Sequence, residues 1–187
     1  LNMMINSQVH LSKFIELENN KLIERPGYLS VDENLDKSII MKGIKFKYFN
    51  SDEYIFDNLD LEIELNKHTI ITGPNGSGKS TLLGLVSKVF YPEEGEIKLN
   101  TNEIGYVGVT PLIIEGSLKE NLLYGNSSEK TDEEIIKLLN EFELFNSDER
   151  GLDSTIDRKS LSSGQMQKIS FIRSLLAETK LLLLDES

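Results

Sequence analysis

The sequence predicts an α/β fold, and three observations carry that prediction. Strand-like and helix-like segments alternate from about residue 39 onward. A glycine-rich turn, Gly73 to Thr81, lies between a β-branched run and an apolar pattern of helical period. Ahead of it, Leu59 to Leu65 alternates apolar with acidic side chains, the mark of a half-exposed strand in an antiparallel sheet.

Taken in order, residues 2–18 read as a helix, with Met4, Val9, Leu11 and Ile15 on a loose apolar stripe. Asn19 to Lys37 is polar, contains Pro26-Gly27, and reads as a linker. Ile39 to Phe49 alternates at Ile44, Phe46 and Tyr48, as a strand does. A turn at Asn50 to Glu53 leads to the second strand, Leu59 to Leu65. His68 to Thr72 suits a short buried strand, and Ser80 to Val89 a helix. Strands are then predicted over Gly95 to Leu99 and Glu103 to Val109, with a short helix over Ser117 to Tyr124. Thr131-Asp-Glu-Glu134 is a capping box opening a helix to Phe142. Ser163 to Glu178 is helical by period, and Lys180 to Leu184 is an apolar buried strand running into Asp185-Glu186.

Composition narrows the chemistry. A chain of 187 residues suits one domain, or most of one, with a real core. It has no cysteine, which excludes disulfides, zinc-thiolate sites and thiol nucleophiles. The net charge of −11 argues against a nucleic-acid partner, because phosphate backbones need a basic surface. No apolar run approaches the length of a membrane span, and no signal peptide is visible. The chain opens on Leu1-Asn2 and stops at Ser187, so both ends read as cuts in a longer protein.

Gly73-Pro74-Asn75-Gly76-Ser77-Gly78-Lys79-Ser80-Thr81 fits the phosphate-binding loop pattern at every fixed position. Phosphates carry concentrated negative charge, and a loop of backbone N–H groups surrounds it better than side chains do. Glycines let the main chain come that close. Lys79 adds a mobile point charge for the β- and γ-phosphates, and the Ser80 hydroxyl is placed to ligate Mg²⁺. The helix that follows presents its N-terminus to the anion.

Two later segments extend the site. Asp185 and Glu186 lie at the carboxyl end of a strand, the edge at which open α/β sheets bind ligands. One carboxylate there can hold Mg²⁺ and its neighbour can activate water. By itself, the same pattern equally fits a strand running into a polar turn. Leu161-Ser162-Ser163-Gly164-Gln165 opens a helix and suits either a second anion site or an N-cap by Ser162 or Ser163.

In this order and spacing, ITGPNGSGKST, LSSGQ and LLLLDE resemble the Walker A, signature and Walker B motifs of ATP-binding-cassette (ABC) transporters. The resemblance runs from about Ile39 to Ser187. It implies a P-loop NTPase core with a partial, mainly parallel sheet, an N-terminal antiparallel β region, and a helical signature subdomain over about 112–165. It further implies a head-to-tail dimer with a second nucleotide-binding domain. Gly73 to Thr81 and Asp185 would serve the chain's own MgATP, with Lys79 and Glu186 catalytic and Glu186 the general base. Ser162, Ser163, Gly164 and Gln165 would face the partner's ATP. Tyr48 falls where exporters have the aromatic that stacks on adenine, although alone it would suit a strand or core tyrosine. Ile104 to Gly125 is similar to the exporter segment that meets the coupling helices of the transmembrane domain. Residues 1–38 would then lead in from a transmembrane region, placing the cassette at the cytoplasmic face of a membrane as the motor for export.

The sequence departs from that pattern at three points. Val109 stands where exporters carry a glutamine that contacts Mg²⁺ and water, and Ser163 replaces the signature's second glycine. The chain also stops before the family's D-loop and switch histidine, and neither His10 nor His68 is placed to substitute. The cassette in this piece is therefore expected to hydrolyse weakly or not at all. Val109 keeps open a domain that binds ATP and dimerises with little turnover. A non-transport ABC ATPase acting on DNA or the ribosome is a further alternative. The acidic charge argues against it, and about 80 residues without sustained heptads between Lys79 and Leu161 argue against the relatives that insert a long coiled coil.

Overall fold

The computed structural model describes residues 27–49, 51–126, 129–145 and 151–185. The helix predicted over residues 2–18, His10 and Glu186 lie outside them. The chain divides into two compact units, Leu1–Asn100 and Thr101–Ser187.

The first unit is built on a four-stranded sheet of order β1-β4-β2-β3, formed by β1 (Leu29–Val31), β2 (Lys37–Phe46), β3 (Phe56–Glu64) and β4 (Glu94–Leu99). Strands β2 and β3 pair antiparallel, with Met41 opposite Leu61 and Ile44 opposite Leu59. The alternation read in the sequence is the one observed. Leu59, Leu61 and Ile63 turn inward, while Asp60, Glu62 and Glu64 face water. Ile39, Met41, Ile44, Phe46, Ile97 and Leu99 are buried from β2 and β4. Each such side chain contributes about 1.5–3 kcal/mol through removal from water.

Within the stretch read as a linker, Leu29–Val31 forms β1, parallel to β4 with Leu29 opposite Ile97. Polar neighbours hid it in the sequence, yet three residues suffice when an edge of β4 is open to pair. Tyr28 precedes this strand, is only 7% exposed, and packs edge-on against Tyr91 at 5.3 Å. Its hydroxyl has no hydrogen-bond partner among the described residues. Burial, with a smaller contribution from Tyr91, pushes the phenol up to about 12. The folded protein therefore keeps Tyr28 neutral where an unfolded chain ionises it, near the ordinary tyrosine value of 10.0. That part of the stability is intact below about pH 10 and lost as pH rises toward about 12. Tyr28→Phe is expected to raise stability near neutrality by about 1 kcal/mol, by removing an unsatisfied buried hydroxyl. It should also flatten the decline above about pH 10. Urea unfolding near neutrality and at about pH 11 checks both.

Helix α1 (Lys79–Val86) follows the glycine loop. It is shorter than predicted because Lys88 takes φ 63° and the amides of Val89 and Phe90 fold back to the Gly84 carbonyl at 2.9 and 3.0 Å. That return satisfies a carbonyl the helix end would otherwise leave bare. The buried strand predicted over His68 to Thr72 is not formed. Residues 67–74 belong to no helix or strand and are exposed, Ile70 by 86%. A β-branched run becomes a buried strand only where neighbouring strands accept its N–H and C=O groups. Among the described residues the sheet of this unit ends at β3, whose strand neighbour is β2.

In the second unit, β5 (Ile104–Val107) and β8 (Leu181–Leu184) pair parallel, with Tyr106 opposite Leu183. The sequence pattern predicted a buried β8, but only Leu183 is buried and Leu184 is 47% exposed. Among the described residues β8 has β5 as its strand neighbour, so one edge and part of each face stay open. A two-residue ladder joins β6 (Gly116–Ser117) to β7 (Thr155–Ile156). Among the described residues three helices accompany these strands: α2 (Leu118–Leu123), α3 (Asp132–Glu141) and α4 (Ser163–Leu176). Each begins with a capping box, Ser117 with Glu120, Thr131 with Glu134, and Ser162 with Gln165. Leu118, Leu122, Ile135, Ile156, Ile169 and Ile172 form the heart of one apolar cluster among these elements. No helix among the described residues is long and apolar enough to cross a membrane.

Candidate functional site

The first unit brings the glycine loop and Tyr48 together. Gly78 caps α1 with φ 92° and ψ 11°, a left-handed conformation that L side chains resist. A Cβ there would also lie 2.7 Å from Ile55 and 2.9 Å from Phe56. These two residues, which the sequence pattern did not single out, form the wall against which the loop closes. Gly76 has φ 81° but open space around it, so its requirement is conformational alone. At Gly73 a Cβ would meet the Ser77 hydroxyl at 2.8 Å, and the Ser77 amide donates to the Pro74 carbonyl at 3.2 Å. Asn75 lies in the exposed turn between them.

Lys79 opens α1, and its ammonium donates to the carbonyls of Gly73 and Pro74, both at 3.0 Å. A cation is thus held over the loop by two neutral acceptors, which an anionic ligand can displace at little cost. Ser80 is exposed in the first helical turn. Thr81 is buried, and its hydroxyl shares a hydrogen bond with the Tyr48 hydroxyl at 2.7 Å. Tyr48 lies two residues past β2 and is 41% exposed, packed edge-to-face against Phe46 and Phe90. His68 is exposed on the segment before the loop.

In the second unit, Asp185 follows β8. Its amide donates to the Val107 carbonyl at 2.9 Å, and the Tyr106 hydroxyl donates to its Oδ2 at 3.1 Å. Burial, then the Asp185 charge and hydrogen bond, raise the Tyr106 pKa, so the phenol stays a donor at neutral pH. The residue pattern along the chain did not single out Tyr106. The signal for more was its place opposite the last leucines of β8. Val109 is 48% exposed in the loop after β5 and offers no donor or acceptor from its side chain.

The signature segment lies at the start of α4. The Ser162 hydroxyl accepts from the Gln165 amide at 3.2 Å, and the Gln165 side chain accepts from the Ser162 amide at 2.9 Å. The N-cap alternative is therefore realised, with Ser163 and Gly164 exposed in the first turn. An N-cap and an anion site are compatible, because the capping box occupies two amides of several at the helix end.

The segment from Val109 to Tyr124 is shaped by two residues that periodicity could not flag. Asn121 is fully buried, accepts from the Ile114 amide, and donates to the carbonyls of Ile114 and Ser117. Arg173 of α4 donates through Nε to the Asn121 carbonyl at 2.8 Å and through Nη2 to the Leu112 carbonyl at 2.9 Å. Burial lowers its pKa, but a guanidinium so bonded stays charged. Leu112 and Tyr124 remain about half exposed on the outside of this clamp.

Comparison with known proteins gives one answer. The family described as ABC transporter matches residues 56–187. ABC transporter B family member 17 of Arabidopsis thaliana is 33% identical over 180 residues, covering 86% of this chain and 14% of that protein. The ATP-dependent permease MDL1 of Candida albicans is 39% identical over 176 residues, covering 84% of this chain and 25% of that protein. The chain thus spans a quarter or less of the length of these two relatives. Among solved structures, a bacterial Atm1-family ABC exporter with ATP bound shares the fold, with a TM-score of 0.71 at 21% identity over 97% of this chain and 36% of that one. Mixed α/β architecture, a glycine loop opening a helix, and a match across both units agree: the chain belongs to the ABC transporter family, as a nucleotide-binding domain of the exporter type.

Proposed function

We propose that this chain binds MgATP and, paired head to tail with a second nucleotide-binding domain, hydrolyses it to drive export of a substrate across a membrane. The observation that carries the reading is the loop from Gly73 to Lys79. Its two left-handed glycines open a helix, and its lysine rests on carbonyls an anion can replace. In this reading the backbone of Gly73 to Gly78 and the Lys79 ammonium hold the phosphates, with Ser80 and Thr81 in the first helical turn. Tyr48 stacks on the base. Ser80 and Asp185 are assigned to Mg²⁺, hard oxygen donors of the kind that ion takes. A Mg²⁺ ion held there would supply positive charge that offsets the negative charge of the phosphates. Glu186 is the general base for water, and Ser162 to Gln165 meet the partner's ATP. The face carrying Leu112 and Tyr124 receives the coupling helices of a transmembrane domain. Residues 1–38 lead in from that domain, 39–187 belong to the cassette, and the assembly works from the cytoplasmic side. By itself this chain hydrolyses weakly or not at all.

A second reading, an ATP-binding dimerisation domain with little turnover, is favoured by the exposed Val109. Single-turnover hydrolysis by the full-length protein separates the two, with Glu186→Gln as control. Removal of the base is expected to slow hydrolysis by about 100-fold or more while MgATP binding is kept. Wild-type turnover no faster than that of the control would discard hydrolysis and leave the second reading.

A further inference from the structure

The Tyr48 ring is held by the helix that carries the phosphate loop, through two contacts of different kinds. At one end of α1, the buried Thr81 shares a 2.7 Å hydrogen bond with the Tyr48 hydroxyl. Past its other end, in the turn that folds back to Gly84, Phe90 meets the Tyr48 ring edge-to-face with centroids 5.5 Å apart. Phe90 is itself seated on Gly84, where a Cβ would lie 2.4 Å from the phenyl ring. Strand β2 ends at Phe46, so the ladder no longer directs Tyr48. The distance between this ring and the phosphate loop is set by α1, and part of the ring is left open to a planar ligand.

We propose that the Tyr48–Thr81 hydrogen bond is a positioning contact for base recognition. It holds the Tyr48 ring at the separation from the phosphate loop that a purine nucleoside triphosphate spans, which makes Thr81 a positioning residue for the base. The proposal rests on the reading of Tyr48 as the stacking ring and of Gly73 to Lys79 as the phosphate site. A tyrosine past the end of a strand otherwise samples several rotamers, and freezing it on binding weakens affinity. The hydrogen bond orders it beforehand, and Phe46 and Phe90 supply packing that fixes the ring plane.

The test measures binding of MgATP and of magnesium tripolyphosphate to the full-length protein by calorimetry. Tyr48→Phe keeps the ring and deletes the hydroxyl. It is expected to weaken MgATP binding by roughly 3- to 10-fold and leave tripolyphosphate binding unchanged. Thr81→Val should do the same, and Thr81→Ser should restore affinity. Tyr48→Phe combined with Thr81→Val should cost no more than either change alone. Unchanged MgATP affinity in Tyr48→Phe, beside a weakened Tyr48→Ala, overturns the positioning contact and keeps the stacking ring. Unchanged affinity in Tyr48→Ala overturns the stacking reading and the proposal with it. Equal loss of MgATP and tripolyphosphate in Thr81→Val means that Thr81 acts on phosphate alone, and also overturns the proposal. Should Thr81→Val fail to fold, Tyr48→Phe decides the question by itself.

Discussion

Lys79→Ala is expected to weaken MgATP binding by about 100-fold, without a comparable loss of folding stability. Its ammonium makes two 3.0 Å hydrogen bonds to the carbonyls of Gly73 and Pro74. With a nucleotide in the loop these neutral acceptors give way to phosphate oxygens. Charge-assisted hydrogen bonds are worth about 1.5–3 kcal/mol each. The two carbonyl bonds surrendered share the same charged donor, so the net gain comes from pairing the ammonium with phosphate charge. Truncating one partner of such a pair costs about 2–5 kcal/mol, and about 3 kcal/mol is about 100-fold in affinity. In the absence of nucleotide the substitution frees two carbonyls in an exposed loop, where water replaces the ammonium, so the unfolding midpoint should hardly move. Titration with MgATP alongside urea unfolding measures both. An unchanged affinity would remove this loop as the nucleotide site.

The second large effect is expected at Gly78. Gly78→Ala places a side chain on a residue with φ 92°, a conformation costing about 1–2 kcal/mol for an L residue. It also drives the new methyl to 2.7 Å from Ile55 and 2.9 Å from Phe56, at the start of β3. Overpacking of that kind adds about 1–3 kcal/mol. The sum, about 2–5 kcal/mol, should destabilise the protein before any ligand is added and deform the loop enough to lower MgATP affinity further. Gly76→Ala is the control, because Gly76 shares the positive φ but has open space where the methyl would sit. Its expected cost is the conformational part alone. If both variants unfold at the same urea concentration, Ile55 and Phe56 exert no steric control over Gly78 and the loop is not close-packed there.

Much of the local structure was legible along the chain. Strict alternation in β3 marked its buried face and suited it to an antiparallel sheet, because a period of two leaves one way to bury Leu59, Leu61 and Ile63. Its pairing with β2 came from the fold. Capping boxes at Thr131 and Ser162 are interactions between residues three apart, so the local sequence announces them. The strand at Leu29 escaped notice because its stabilisation comes from β4, far along the chain. His68 to Thr72 failed in the opposite sense. Its β-branched composition promises a buried strand, but burial is conferred by neighbours, and among the described residues none pairs with it. Asn121 and Arg173 were invisible for a related reason. A buried amide and a guanidinium that bond backbone carbonyls leave no trace in hydrophobic period.

The same division holds for the site. By itself the sequence determined that a glycine loop with Lys79 precedes a helix and that carboxylates follow the last leucines of β8, since spacing along the chain fixes which groups a short loop can present. Only the tertiary structure decided where Tyr48 rests, that Ile55 and Phe56 close on Gly78, and that Tyr106 holds Asp185. These contacts join residues many positions apart in sequence, and their geometry depends on packing that no local pattern encodes.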